Sequence, residues 1–185
     1  MSENKSHPLP SFLICQTICF AASFIGTQAT FIGLQAWYPA LAKPAFNPPS
    51  WVFAPVWTIL YFMMGVALFQ VWRSEPSKSR SWGLWVFGMQ LALNALWSWL
   101  FFGWNKLPWA FVEIVLLDLS ILTTILIFRK VKASAAWLLA PYLAWCLFAS
   151  LLTFSIWKLN PVDANPKDDS IQIQIGEPDL TPLPQ

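Results

Sequence analysis

WVFAPVWTILYFMMGVALFQVW, residues 51–72, runs for 22 residues without a charged side chain, and that length decides the fold. At 1.5 Å per residue a helix of this stretch is about 33 Å long, enough to cross a hydrocarbon layer of about 30 Å. A strand would leave backbone groups unpaired in lipid, and the stretch lacks the two-residue alternation of a membrane barrel. Four more charge-poor segments of similar length flank it, from Phe12 to Leu34, Trp82 to Gly103, Pro108 to Phe128 and Ala133 to Trp157. The expected fold class is therefore an all-α membrane protein, a bundle of five transmembrane helices.

Composition agrees with this reading. Hydrophobic residues make up 57% and charged residues 11% of the 185 positions, too apolar for an ordinary soluble surface. The net charge of +2 is spread thinly, without the basic face that nucleic acid requires. Lys5 ahead of the first segment, with Ala40-Leu41-Ala42 after it, has the outline of a secretory signal. The run from Phe12 to Leu34 is longer than the 7 to 15 residues of a signal's apolar region, however, and is expected to be a retained helix. The expected organisation is a polar segment at 1–11, a membrane domain at 12–159 and a tail at 160–185. The tail has no aromatic residue, five prolines and an acidic bias, and is expected to be disordered because it buries too little apolar surface to order itself. Lys5, Arg73, Lys78, Arg80, Arg129, Lys130 and Lys132 fall on one side of the five segments, against Lys43, Lys106, Lys158 and Lys167 on the other. This asymmetry predicts a cytoplasmic N-terminus.

Thirteen tryptophans need a physical account. Trp37, Trp51, Trp72, Trp82, Trp85, Trp104, Trp109 and Trp157 lie at segment ends, where amphipathic rings anchor at the headgroups. Trp57, Trp97, Trp99, Trp137 and Trp145 lie deeper and are candidates for a pocket wall. Four-residue spacing gathers polar groups beside some of them: Gln90, Asn94 and Ser98 form a stripe in the third segment, with Trp97 and Phe101 on nearly the same face. In the fifth segment Pro141, Trp145, Ala149 and Thr153 repeat that spacing, with Pro141 expected to bend the helix. Such stripes serve equally as contacts between helices or with a ligand. In the fourth segment Glu113 shares a face with Leu117, Ser120 and Thr124 and is expected near the interface. Asp118, deeper and without a charged partner in the other segments, is expected to be protonated or bonded to a neutral side chain.

The connection between the first two segments continues into residues 51–72, giving WYPALAKPAFNPPSWVFAPVWTILYFMMG from Trp37 to Gly65. Its prolines predict a stiff, non-helical loop suited to a lid, with Ser50 capping the second helix. Trp37-Tyr38, Lys43-Pro44, Pro48-Pro49-Ser50-Trp51 and Pro55-Val56-Trp57-Thr58-Ile59-Leu60-Tyr61 resemble the pattern of the TspO/MBR family. The resemblance extends through Gln90-Leu91-Ala92-Leu93-Asn94 with Trp97-Ser98, then Pro141-Tyr142-Leu143-Ala144-Trp145 with Phe148-Ala149, and Trp157-Lys158-Leu159-Asn160.

The resemblance implies a five-helix bundle, often a homodimer, that binds tetrapyrroles such as protoporphyrin IX and haem and, in some members, sterols and synthetic benzodiazepine-type ligands. Its pocket would lie under the first loop, walled by Trp37, Tyr38, Lys43, Pro44, Trp51, Trp57, Asn94, Trp97, Trp145 and Ala149. Thr153, where the family commonly has Asn, and Phe154-Ser155, where a Tyr would complete a sterol motif, depart from the pattern. The implied role is a sensor or regulator of porphyrin or stress metabolism. The alternatives are a transporter of porphyrin or sterol-like lipid and a light- and oxygen-dependent porphyrin-degrading enzyme, in which Trp57 and Trp145 would be the redox-active pair. The sequence has no hydrolytic triad, metal cluster or nucleotide loop, and no resident cofactor is expected.

The only histidine, His7, precedes the first segment, so no histidine reaches the pocket to ligate haem. Cys15, Cys19, Cys146 and the methionines remain as ligand types, although Cys15 and Cys19 read more simply as small apolar residues. A macrocycle is expected to be held by stacking and apolar burial, with Lys43 meeting a propionate at the mouth. Ala22, Gly26 and Thr30, and Gly88 with Ala92, are small enough for close helix contact in a dimer.

Overall fold

A computed structural model describes residues 8–161; His7 and residues 162–185 of the expected tail lie outside the described residues, whereas Asn160, expected to open that tail, is fixed by hydrogen bonds to Ala42 and Ile156. Five long helices account for the five apolar segments: α1 (Pro8–Ala36), α2 (Phe53–Trp72), α3 (Lys78–Ser98), α4 (Leu107–Val131) and α5 (Ala133–Leu159). All five are long and apolar enough to cross a membrane, and no strand occurs among the described residues. Each lies within a few residues of its charge-poor segment and ends where charged or turn-forming residues follow.

The helix ends follow from local chemistry. Ser77 caps α3 by accepting from the Arg80 amide at 3.1 Å, satisfying one of the orphan donors of a first turn. The Arg80 guanidinium reaches back to the last carbonyls of α2, donating to Trp72 at 2.6 Å and Val71 at 3.3 Å. Arg129 and Lys130 occupy the last turn of α4, where cations favour the negative end of the helix dipole. Ser50 does not cap α2 with its side chain. It opens a 3-10 turn, Ser50–Val52, that leads directly into α2, because the Val52 amide bonds the Pro49 carbonyl at 3.0 Å. A π-helical turn, Trp99–Gly103, extends α3, and Asn105, at φ 57°, turns the chain into α4; asparagine tolerates this left-handed conformation better than most residues. The α5 helix continues through Pro141 without interruption.

Packing places the helices in the ring order α1, α2, α5, α4, α3, with α3 closing back on α1. Two glycines fix the path of α1. A Cβ on Gly65 of α2 would lie 2.3 Å from Gln16 Oε1, and one on Gly33 would lie 2.7 Å from the Phe102 carbonyl oxygen. The beginning of α1 is thus pressed onto α2 and its end onto the π-helical turn. Gly26 also packs within the chain, against Ala95 and Ser98 of α3. That helix-1 small residue therefore serves the bundle itself, whereas Gly88 and Ala92 remain on the outer face of α3.

Candidate ligand pocket

The third-segment stripe forms the polar floor of a cavity. Asn94 accepts a hydrogen bond from the Tyr61 hydroxyl and donates to the Tyr142 hydroxyl at 3.0 Å, and Tyr142 donates in turn to Gln90 Oε1 at 2.8 Å. One buried amide therefore ties α2, α3 and α5 together. Its four-residue spacing from Gln90 puts both on the inward face of α3, and the tyrosines place their hydroxyls where the amides end.

Above this floor lies a cavity of about 350 Å³, within the range of about 300–1,000 Å³ usual for small-molecule sites. Trp57 and Phe53 of α2, Trp97 of α3, Phe101 of the π-helical turn and Trp145 of α5 form its aromatic walls, and Tyr38 of the loop closes it above. Trp97 stacks on Phe101 at 5.2 Å, Trp57 lies 5.7 Å from Tyr61, and Trp145 meets Phe53 edge-on at 6.1 Å. Ala149 and Thr153 line the α5 side between Trp145 and the loop, where small side chains leave the space open. The Trp97 indole nitrogen is buried without a hydrogen-bond partner among the described residues.

Six residues expected in the wall from the sequence, Tyr38, Trp57, Asn94, Trp97, Trp145 and Ala149, are brought together around this one space. Trp37, Lys43, Pro44 and Trp51 are not among its lining residues. Trp51, in the 3-10 turn before α2, is 74% exposed on the outside of the bundle, as is Trp137 at 76%. Trp99 packs against Trp104 at 6.1 Å instead. Trp37 stands behind the wall, edge-on to Phe101 at 5.6 Å. The Lys43 ammonium donates to the Pro39 and Leu41 carbonyls at 3.2 and 3.0 Å and sits over the Tyr38 ring at 4.8 Å, so it braces the loop.

Tyr38 donates to Asn47 Oδ1 at 2.7 Å. Burial pushes its phenol above the usual range, and the hydrogen bond with Asn47 acts in the opposite direction. The α1 wall, with Ser23, Thr27, Thr30 and Phe31, was missed in the sequence, although Ser23, Thr27 and Thr30 recur at the spacing of one helix face; Thr30 was read there only as a small residue for close helix contact.

The lining residues include no His, Cys or Met. Cys15, Cys19 and Cys146 belong to the packed core. The helix-4 acids also lie outside the cavity wall. Asp118 accepts from the Ser150 hydroxyl at 2.6 Å, the neutral partner expected of it. Glu113, expected near the interface, is only 5% exposed, and neither of its carboxyl oxygens has a partner among the described residues; α3 and α5 flank α4 closely enough to bury it.

Sequence comparison accords with this arrangement. The TspO/MBR family model matches residues 15–158. A tryptophan-rich protein TspO of Chlorobaculum tepidum is 44% identical over 149 residues, covering 80% of this chain and 94% of the relative. The translocator protein of Ovis aries is 40% identical over 139 residues, covering 74% and 82%. A tryptophan-rich sensory protein of Cereibacter sphaeroides is 34% identical over 144 residues, covering 78% and 89%. Five apolar helices enclosing a tryptophan-walled cavity, with a match that spans all five, show that this chain is a multi-pass membrane protein belonging to the TspO/MBR family.

Proposed function

We propose that the cavity binds a flat, largely apolar tetrapyrrole of the protoporphyrin IX or haem type, and that the chain acts as a membrane-embedded sensor or regulator of porphyrin or stress metabolism. The observation that carries this reading is the convergence of Trp57, Trp97 and Trp145 from three helices on one space. Aromatic faces set around a gap favour stacking with a planar ligand. The buried Tyr61–Asn94–Tyr142 network supplies a rigid floor. A ligand larger than the enclosed volume extends through the side of the cavity, where the lining residues Ala54 and Thr58 are exposed. Relatives named sensory and translocator proteins are compatible with a protein that binds and reports a small molecule.

Haem would be held without His, Cys or Met ligation, since the lining has none of these, and no resident cofactor is required. In this reading the N-terminus faces the cytoplasm, and two copies associate through the α3 face that carries Gly88 and Ala92. Trp57 and Trp145 both line the cavity, which favours one second reading: light- and oxygen-dependent breakdown of a bound porphyrin. Loss of pigment on illumination that disappears in Trp57→Phe or Trp145→Phe would select that reading over simple binding.

Binding is tested by titrating the purified protein with protoporphyrin IX and with haem while following tryptophan emission. Saturable quenching by both, at similar affinity, is expected. Linear quenching without saturation would overturn the binding reading, and a haem spectrum of strong axial ligation would overturn the stacking mode.

A further inference from the structure

The roof and the side of the cavity are built differently. Across the roof, the Ala42 amide donates to Asn160 Oδ1 at 3.0 Å, and Asn160 Nδ2 donates back to the Ala42 carbonyl at 2.9 Å. The same nitrogen lies 2.8 Å from the Ile156 carbonyl. A single side-chain amide thus fastens the middle of the loop to the end of α5, 118 residues later. Within the loop, Tyr38 is bonded to Asn47, and Lys43 is held by two carbonyls.

The side of the cavity follows from the path of α1. Near its start α1 packs on α2, where Gln16 Nε2 donates to the Phe62 carbonyl at 3.2 Å and Gly65 admits the Gln16 side chain. Near its end α1 packs instead on α3 and the π-helical turn, at Gly26 and Gly33. A helix shared in this way between two neighbours diverges from the first as it approaches the second. Along the diverging stretch the lining reaches the outer surface: Phe31 is 62% exposed, and Ala54 and Thr58 across from it are exposed. The polar groups there are already occupied. Thr27 donates to the Ser23 carbonyl and Thr58 to the Ala54 carbonyl, both at 2.8 Å. This back-bonding within one helix turns the seam into an apolar passage.

We propose that the cavity is loaded sideways from the bilayer, through the α1–α2 seam at Thr27, Phe31, Ala54 and Thr58, beneath a loop that serves as a fixed roof and does not lift. The occupant is a flat hydrophobic molecule dissolved in the hydrocarbon region, which reaches the aromatic walls without entering water. This entrance rests on the binding reading above.

Stopped-flow association and dissociation of protoporphyrin IX, with the full chain in phospholipid nanodiscs, separate the two routes. Thr58→Trp and Ala54→Phe narrow the seam, and Asn160→Ala unfastens the roof; thermal melts report folding for each. Association rates within one interface vary over about one to three decades. A decrease of about tenfold is expected for at least one folded seam variant, with dissociation slowed as well, while Asn160→Ala stays within about twofold of the unaltered protein. Faster association in Asn160→Ala, or unchanged association in both seam variants, would overturn the lateral entrance. Absence of saturable binding to the unaltered protein would instead overturn the binding reading on which it rests.

Discussion

At the scale of single residues, Asn94 has more depending on it than any other polar group of the cavity. It meets both Tyr61 and Tyr142, so an apolar replacement takes the acceptor from the buried Tyr61 hydroxyl and one of two partners from Tyr142, which keeps Gln90. A hydrogen bond between membrane helices contributes about 0.6 kcal/mol on average and up to about 1.7, while leaving a buried group unsatisfied costs about 1–3 kcal/mol. Asn94→Leu is therefore expected to lower stability by about 1–3 kcal/mol, measured by reversible unfolding in mixed micelles; an unchanged midpoint would mean that the amide is dispensable. Tyr38 gives a pH expectation of opposite character. Its phenol is raised above the ordinary 10.0, so the neutral donor is the form that folding favours. Its contribution is complete below the unfolded value and is lost as pH rises through the higher folded value. Melting temperatures of the unaltered protein and Tyr38→Phe should consequently differ by a constant amount between about pH 6 and pH 9, and converge only above that range. Spacing made Asn94 and Trp97 legible, because residues four and seven beyond Gln90 share its face. Trp51 carried two readings, an anchor from its place at a segment end and a pocket wall from the resemblance; it lies outside the wall, in the 3-10 turn Ser50–Val52, a turn that no residue type announces. The burial of Glu113 was not legible, because distance from a helix end bears on depth alone, whereas burial depends on which helices lie alongside.

At the scale of elements, close approach between helices depends on missing side chains. Gly33 and Gly88 provide an internal comparison, since a Cβ on Gly33 would strike the Phe102 carbonyl at 2.7 Å while one on Gly88 meets nothing within 4 Å. Inserting a methyl group into a filled contact costs about 1–3 kcal/mol, and an open surface position changes stability by less than about 0.5 kcal/mol. With copies kept apart by excess detergent, Gly33→Ala should lower the melting temperature clearly and Gly88→Ala hardly at all. Equal effects would contradict the path assigned to α1. The number and approximate limits of the five helices were legible because apolar length is a property of each segment alone. The π-helical turn at Trp99–Gly103 and the division of α1 between two neighbours were not, since both arise from contacts between segments distant in sequence.

At the scale of the whole molecule, the bundle converts an apolar composition into an outer surface and one aromatic interior. Trp82 and Trp85 are 68% and 78% exposed, consistent with rings placed at the membrane boundary, whereas Trp57, Trp97 and Trp145 turn inward. Sequence position could separate these groups only roughly, and Trp137 shows why: it sits close to the start of α5 and faces out despite its apolar surroundings.

The central claim is that a planar ligand occupies the space between those three indoles, and filling that space tests it most directly. Ala149→Trp projects a ring into the cavity from α5, while Trp137→Phe alters an indole on the outer surface. Protoporphyrin IX affinity, measured by tryptophan quenching with folding checked by thermal melts, should fall at least about tenfold in Ala149→Trp, equivalent to about 1.4 kcal/mol, and should remain unchanged in Trp137→Phe. Undiminished affinity in a folded Ala149→Trp protein would contradict the account.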